Sequence, residues 1–85
     1  MTKSSIRVDL KEMADWIPSN SRVLDLGCGT GDLLNYLQVN KSVTGVGVEI
    51  NNERVVSCVQ KGVPVVQQNL EDGLALFDCK QFDVV

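Results

Sequence analysis

Residues 22–34 of the chain read RVLDLGCGTGDLL, and this stretch decides the fold. A short apolar run that suits a buried strand leads into a turn with glycine at positions 27, 29 and 31, and leucines then return at helical spacing. A strand, a glycine-rich turn and a helix in this order are typical of open α/β sheets, which bind ligands at the carboxyl ends of their strands. Asp25 stands two residues before the first glycine. Its charge raises the question of which ligand such a turn would hold.

Helix and strand patterns alternate along the rest of the chain. Apolar residues spaced by four and three predict a first helix that ends before Pro18, with one face made of Ile6, Leu10, Met13 and Ile17. The patterns further predict strands over 22–26, 43–48, 63–67 and 82–85, helices over 31–39 and 51–61, and a helical turn over 74–77. This alternation predicts a parallel sheet with right-handed crossovers. The expected fold class is α/β, a Rossmann-like doubly wound parallel sheet of which residues 1–85 form the N-terminal portion, truncated within strand four.

The same patterns predict which side chains are buried. Val55, Val56 and Val59 are expected to face inward from the third helix, and Trp16 is expected to lie in the core or against the sheet. The first three helices would cover one face of the sheet, and the helices for the other face would come later in a longer chain. Apolar strand side chains left open on that face would make the 85-residue chain self-associate.

Composition excludes several classes of function. Eight Lys and Arg against eleven Asp and Glu give a net charge of −3 without a basic run, which disfavours nucleic acid and acidic membrane surfaces as partners. No stretch suits a transmembrane helix and the first residues have no apolar signal core, so a cytoplasmic protein is expected. Three scattered cysteines and the absence of histidine argue against a structural zinc site, a disulfide framework and any Ser-His or Cys-His nucleophile within this chain.

The acidic residues around the glycine turn favour a ligand that carries positive charge. A dinucleotide-binding fingerprint would have its third glycine at position 32, where this chain has Asp32, and would hold a pyrophosphate. Asp25 and Asp32 would both repel that anion, whereas they would attract an amino group and a sulfonium. The turn therefore predicts S-adenosylmethionine (SAM) rather than a nicotinamide dinucleotide. A tight strand-to-helix turn without any ligand is the alternative.

Three further residues fit the same ligand. Glu49 ends the second strand, 22 residues after Gly27, where an acid can accept hydrogen bonds from both ribose hydroxyls. Ile50 could pack on an adenine face, and the side-chain oxygen of Asn69 could accept a hydrogen bond from the adenine amino group. Each has a plainer alternative, as a solvated loop acid, a core residue at the loop edge and a turn residue respectively. Cys28, inside the turn, is expected to be a small filler rather than a nucleophile.

The chain resembles a known family in several stretches of its sequence. RVLDLGCGTGDLL followed by GVGVEI is similar to the class I SAM-dependent methyltransferases. More narrowly, the chain resembles the methionine-biosynthesis protein MetW family from about residue 9 to the end, through WIPSNSRVLDLGCGTGDLLNYL, GVGVEINNERVVSCVQKGVPVVQQNLEDGLALF and FDVV. The first motif is specific for the superfamily, and the assignment to the MetW family depends on the longer run.

The resemblance implies a set of cofactor-binding residues. The glycine turn would line the methionine part of SAM, Glu49 would hold the ribose, and Asn69 with the backbone of Leu70 would meet the adenine. The family usually has aspartate where Asn69 stands, so the adenine contact here would lack charge assistance. The implied site comprises Asp25, Gly27, Cys28, Gly29, Glu49, Ile50, Asn69 and Leu70, with no metal ligand and no catalytic residue assigned.

The resemblance also implies a role in methionine synthesis, with a homoserine O-acetyltransferase as functional partner. Residues 1–85 would then be a partial SAM-binding methyltransferase-like domain whose methyl acceptor the sequence does not name. The alternative is a non-catalytic subunit that binds SAM as a signal and supports the acetyltransferase. A nucleotide-binding oxidoreductase half-domain is a weaker third hypothesis, which Asp25 and Asp32 disfavour. The 85 residues alone are not expected to catalyse methyl transfer, because the loop that would follow strand four contributes to the second-substrate pocket in such sheets.

Overall fold

The computed structural model describes residues 10–85, in which helices and strands alternate along the chain. Helical residues 10–15 are the described part of helix α1, and position 6, which the sequence pattern assigned to the same helix, lies outside the described residues. The elements that follow are β1 (Arg22–Leu26), α2 (Asp32–Lys41), β2 (Thr44–Glu49), α3 (Asn52–Gln60), β3 (Val65–Gln67), α4 (Leu70–Leu76) and a short 3-10 helix (Cys79–Gln81). No helix within residues 10–85 is long and apolar enough to cross a membrane.

The strands form one parallel sheet in the order β1-β2-β3. On the other side of β1, Val84 forms a single parallel bridge with Val23, and the Leu24 N–H donates to the Val84 carbonyl at 2.9 Å. The predicted fourth strand is present as this bridge. It is fastened at its start by Asp83, which accepts hydrogen bonds from the backbone and the guanidinium of Arg22. Because the strand order reverses at β1, the carboxyl end of β1 is a topological switch point, where open α/β sheets bind ligands.

Helices pack on both faces of this sheet. On one face β2 has glycines that make room for α2, since a Cβ atom at Gly45 would lie 2.6 Å from Leu34 Cδ2. Val48 points to the opposite face, as Gly45 and Val48 are an odd number of residues apart on the strand. There α4 approaches closely, and a Cβ atom at Gly73 would lie 2.6 Å from Val48 Cγ1. The expectation that every helix of the second face would come later in a longer chain is therefore wrong, because α4 already buries Val48.

The larger core lies on the first face, between the sheet and helices α1, α2 and α3. Its buried residues are Ala14, Ile17, Val23, Leu34, Leu37, Val43, Cys58 and Val63. These three helices cover one face together, as the sequence predicts. Lys41, at the end of α2, donates to the Ala14 carbonyl at 2.7 Å and fastens the end of α1 near the amino edge of the sheet.

Helix α1 turns only part of the predicted face to the core, because Ile17 is buried and Leu10 is half-buried as predicted but Met13 is exposed. Trp16 is 87% exposed and Met13 is 55% exposed, so neither is a core residue. The buried residues of α1 and the turn after it are Ala14 and Ile17, which are three positions apart. Met13 and Trp16 are also three positions apart, and each precedes a buried residue by one position. They therefore form a second stripe, displaced by about 100° around the helix from the buried one.

Helix α3 shows the same displacement. Cys58 is its buried residue and Val55, three positions earlier, is half-buried. Val56 and Val59 form the next stripe around the helix and are 48% and 64% exposed, so the prediction that they face inward is wrong. The helix begins as predicted, with the Asn51 side chain accepting a hydrogen bond from the Arg54 N–H at 3.1 Å.

Replacing Gly73 by alanine tests the packing of α4 on the second face. In an exposed helix such a change stabilises by about 1 kcal/mol, but here the new methyl group would overlap Val48. We expect Gly73→Ala to lower the free energy of unfolding by about 1–3 kcal/mol in urea denaturation. The double variant Gly73→Ala/Val48→Ala should lose less than the sum of the two single variants, because the shorter side chain leaves room. A single variant more stable than the parent would show that α4 does not pack on this face.

The isolated 85-residue chain is expected to self-associate. Many of its large apolar side chains are exposed, among them Met13, Trp16, Val39, Ile50, Val56, Val59, Leu70, Leu74, Leu76 and Val85. Association would remove part of this surface from water at about 25 cal/mol per Å² of apolar area. Light scattering over a range of protein concentrations should show the average mass rising with concentration, and a constant monomer mass would contradict the expectation.

Candidate functional site

The candidate site lies at the carboxyl ends of β1 and β2, where the glycine turn, residues 27–31, follows β1. All three glycines of the turn have left-handed backbone conformations, with φ of 71°, 60° and 82° at Gly27, Gly29 and Gly31. Residues with side chains rarely adopt this conformation, so the path of the turn depends on glycine at these positions. The three glycines that indicated the fold in the sequence are therefore required by the left-handed backbone of the turn.

The end of β2 holds the turn in place. The backbone N–H groups of Gly27 and Cys28 both donate to the Val48 carbonyl, at 2.7 and 3.1 Å. The Cys28 side chain lies over Gly47, where a Cβ atom would be 2.8 Å from Cys28 Cβ. Cys28 is thus a small side chain that fits because β2 has none at Gly47, which supports its interpretation as a filler.

Glu49 is the buried acid of the site. It is 6% exposed, and its carboxylate accepts hydrogen bonds from the backbone N–H groups of Gly29, Ile50 and Asn51 at 2.9, 3.1 and 2.9 Å. These bonds, that from Asn51 foremost, hold the pKa of Glu49 below its usual value. The interpretation of Glu49 as a solvated loop acid is therefore wrong, because the ionised side chain links β2 to the glycine turn.

Asp25 is the second acid at this edge. It lies opposite Gly47 in the register of β1 and β2, on the same face as Cys28. Burial raises the pKa of the Asp25 carboxyl, and the carboxylates of Asp25 and Glu49 both act on the Cys28 thiol. The structure thus brings together two acids that are 24 positions apart in the sequence. A half-buried carboxylate close to an ionised one is an arrangement that a cation would stabilise.

Asp32 does not belong to this pair of acids. Its side chain is 62% exposed and forms an ion pair with Lys61 at 2.7 Å, and it also accepts a hydrogen bond from the Thr30 hydroxyl. The bond to Lys61 holds the pKa of Asp32 below its usual value. The electrostatic argument for a cationic ligand therefore rests on Asp25 and Glu49, since the charge of Asp32 is compensated by Lys61.

Apolar side chains lie at the same edge. Ile50 follows Glu49 and is 63% exposed, so it is not a buried core residue. Leu70, at the start of α4, is 51% exposed and lies beside the glycine turn, with its Cδ2 atom 4.0 Å from the position of a Cβ at Gly27. Ile50 thus offers apolar surface next to Glu49, and Leu70 offers it next to the glycine turn.

Asn69 caps helix α4. Its side-chain oxygen accepts a hydrogen bond from the Asp72 N–H at 2.8 Å, and its amide nitrogen donates to the Asp72 carboxylate at 3.0 Å. This is the structural alternative that the sequence left open, and it explains why α4 begins at Leu70 rather than at the predicted position 74. A cap uses one of the two acceptor positions of the amide oxygen, so contact with adenine stays a prediction.

Two residues at the end of α3, Cys58 and the C-cap residue Lys61, contact the site without having been predicted. Cys58 donates to the Gly29 carbonyl at 3.3 Å, and Lys61 donates to the Thr30 carbonyl at 2.9 Å. Both lie about thirty positions from the turn. Their spacing of three positions predicts that they lie on the same side of a helix, but the sequence does not show which element that side contacts. Within residues 10–85, no group of acids and cysteines is arranged to hold a metal ion.

Comparison with solved structures defines the class of fold. A SAM-dependent methyltransferase from Archaeoglobus fulgidus is 25% identical with a TM-score of 0.72, over 89% of this chain and 34% of that one. An RNA methyltransferase from Salinibacter ruber, solved in complex with S-adenosyl-L-homocysteine, is 22% identical with a TM-score of 0.68, over 99% of this chain and 57% of that one. The fold is that of the class I SAM-dependent methyltransferases, and the chain spans roughly a third to a little over half of these structures.

The family follows from the sequence comparisons. The family described as "Methionine biosynthesis protein MetW" matches residues 7–85, and the chain belongs to this family. A bifunctional methionine biosynthesis protein MetXA/MetW from Rhodopirellula baltica is 34% identical over 89 residues, which are 95% of this chain and 14% of that protein. Both the fold class and the MetW resemblance predicted from the sequence are confirmed.

The Cys28 thiol is expected to be unreactive. Burial foremost, then the Cys58 thiol and the nearby carboxylates, raise the pKa of Cys28 to about 12, so the nucleophilic thiolate is scarce at neutral pH. Cys28→Ser should fold like the parent and bind the same ligand. Iodoacetamide labelling at pH 7 followed by peptide mass spectrometry should leave Cys28 unmodified in the folded protein and modify it in urea. Selective labelling of Cys28 in the folded protein would contradict the expectation.

Proposed function

We propose that this MetW-family chain binds SAM at the carboxyl edge of β1 and β2. The observation that carries the proposal is the pair of acids beside a turn of left-handed glycines, Glu49 ionised and bonded to the backbone, Asp25 half-buried with its pKa raised by burial. A half-buried carboxylate whose pKa is raised by burial favours a ligand that brings a positive charge. SAM has two, an ammonium and a sulfonium, whereas a pyrophosphate would add negative charge.

Each part of the ligand has a matching group. Asp25 would attract the ammonium group, and the bare backbone at Gly27 and Gly29 would allow the methionine part to approach. A carboxylate has about four acceptor positions, of which Glu49 uses three for backbone N–H groups. One ribose hydroxyl can therefore bond to Glu49 directly, and the second would replace one of these N–H groups. Ile50 would lie against the adenine.

The described residues bind and orient rather than react. Bound SAM would supply an electrophilic methyl group on its sulfonium. The acids would hold the charged and hydroxylic ends of the molecule, and the half-buried thiol of Cys28 would stay protonated nearby. The chain spans less than half the length of most of the compared proteins. For the methyl acceptor we therefore propose only a chemical class, a nucleophile that approaches the same edge of the sheet.

A second candidate function is a non-catalytic subunit that binds SAM as a signal. The observation that favours it is the relative from Rhodopirellula baltica, in which a MetW part occurs in one bifunctional protein with a MetXA part. We propose on this basis a functional link to an enzyme of methionine synthesis, of the homoserine O-acetyltransferase type that the family resemblance implies. Addition of SAM should change the activity of that partner if the chain acts as a sensor, and methyl transfer without such an effect would favour the enzyme.

Loss of either acid should weaken SAM binding. A hydrogen bond that involves a charged group contributes about 1.5–3 kcal/mol, so Asp25→Asn and Glu49→Gln should each lower the affinity for SAM by roughly tenfold to a hundredfold in calorimetry. Asp15→Asn is the matched control, because Asp15 is an exposed acid on α1 whose helix ends at the amino edge of the sheet. The parent should bind NAD far more weakly than SAM.

Thermal unfolding of each variant separates loss of the site from loss of the fold. Glu49→Gln is the variant more prone to unfold, since Glu49 accepts hydrogen bonds from three backbone N–H groups. Asp25→Asn keeps the shape of the side chain and removes only its charge. SAM affinity equal to that of the parent in both folded variants would refute the assignment of the site.

A further inference from the structure

Helix α3 makes two contacts with the glycine turn that the proposed site does not use. Cys58 and Lys61 are three positions apart and therefore neighbours on one face of the helix end. The Cys58 thiol lies 3.3 Å from the Gly29 carbonyl oxygen, and the Lys61 ammonium lies 2.9 Å from the Thr30 carbonyl oxygen. Two consecutive carbonyl groups of the turn thus accept hydrogen bonds from one helix. We call Cys58 and Lys61 the α3 brace.

The α3 brace fixes the orientation of two peptide groups. In a planar trans peptide the C=O of one residue and the N–H of the next point in opposite directions. With its carbonyl held towards Cys58, the peptide after Gly29 must direct the Thr30 N–H away from α3, and Thr30 is exposed there. The next peptide is held at both ends, because the Gly31 N–H donates to the Cys28 carbonyl at 3.1 Å while Lys61 holds the Thr30 carbonyl.

The two members of the α3 brace act in different surroundings. Cys58 is fully buried, and a Cβ atom at Gly31 would lie 2.9 Å from its sulfur, so turn and helix are in tight contact. Lys61 is partly exposed and also pairs with Asp32, the first residue of α2. The ammonium therefore joins the end of α3, the turn and the start of α2. Removing it takes away hydrogen bonds without opening a cavity in the core.

We propose that Cys58 and Lys61 are positioning residues that hold the glycine turn in its ligand-binding geometry before the ligand arrives. The inference rests on the proposed binding of SAM and adds what sets the shape of that site. A turn that is already ordered loses less conformational freedom on binding, so the contribution of the α3 brace should appear as ligand affinity. Its loss should also loosen the turn in the ligand-free protein.

Lys61→Met is the main variant, since Lys61 lies at the surface and methionine keeps its length. Lys61→Arg is the conservative variant, which keeps a cationic donor. Lys41→Met is the matched control, because Lys41 also donates to a backbone carbonyl, that of Ala14 at 2.7 Å, but near the amino edge of the sheet. Cys58→Ala and Cys58→Ser form the second pair, in which serine keeps a donor of similar size.

Two measurements are made on each variant. Calorimetry with S-adenosyl-L-homocysteine, which lacks the reactive methyl group, gives the ligand affinity. Amide hydrogen exchange by NMR in the ligand-free protein gives the protection of the Gly29 and Gly31 N–H groups. We expect Lys61→Met and Cys58→Ala to bind about threefold to tenfold more weakly and to exchange these amides faster. Lys61→Arg and Cys58→Ser should recover part of both effects, and Lys41→Met should change neither.

The outcomes distinguish the two proposals. A parent protein that does not bind S-adenosyl-L-homocysteine would refute the proposed function, and the amide exchange of the turn would still decide whether the α3 brace orders it. Unchanged exchange and unchanged affinity in Lys61→Met would refute the α3 brace. An equal loss of affinity in Lys41→Met would refute it too, because the effect would then follow stability alone. Should Cys58→Ala fail to fold, the comparison of Lys61→Met with Lys61→Arg decides whether the α3 brace holds the turn.

Discussion

The glycine turn depends on the carboxylate of Glu49. A turn of left-handed glycines has little conformational preference of its own, and something outside it must select one path. Glu49 does so by accepting the Gly29 N–H while two further N–H groups fix the carboxylate itself. The two preceding residues of β2 complete the support, since Val48 accepts two N–H groups of the turn and Gly47 admits the Cys28 side chain. Three consecutive strand residues therefore define where the first loop of the sheet lies.

The pKa values of the two acids of the site are shifted in opposite directions by the same small region. Hydrogen bonds hold the pKa of Glu49 down, whereas burial holds the pKa of Asp25 up. Glu49 is therefore stable as an anion without any ligand, and its contribution to folding is lost only as pH falls through its lowered pKa. Asp25 is the opposite case, because burial makes its ionised form less favourable than in water and a nearby cation would offset that cost. Under the proposed function, the charge that stabilises the turn and the charge that would attract the ligand belong to separate residues, Glu49 and Asp25.

Much of the fold could be predicted because its signals are local. The bounds of β1 were predicted correctly, since an apolar run ends at a glycine there and no tertiary contact is needed to see it. Helix α4 was predicted four residues too late, because Gly73 disfavours a helix by propensity while the cap from Asn69 to Asp72 favours one. The burial of Met13 and Trp16 at α1 and of Val56 and Val59 on α3 was misjudged for a related reason. Both helices have two apolar stripes one residue apart, and only the sheet decides which of them is covered.

The residues of the site also divide into those that the sequence could predict and those that it could not. Asp25, Glu49 and the glycines could be found because their spacing follows from strand and crossover lengths, whereas Cys58 and Lys61 contact the turn only through the packing of α3. This difference has a functional consequence. Support for the turn comes from β2 on one side, where Glu49 would also contact the ligand, and from the end of α3 on the other, where Cys58 and Lys61 would not. A site shaped in this way can bind its ligand without a closing movement, which suits a cofactor that is exchanged in every turnover and equally a signal molecule. Whether methyl transfer or sensing follows would then be decided by what meets the open edge of the sheet, because the groups described at that edge are proposed to bind charge and hydroxyls and the raised pKa of the Cys28 thiol makes it a poor nucleophile.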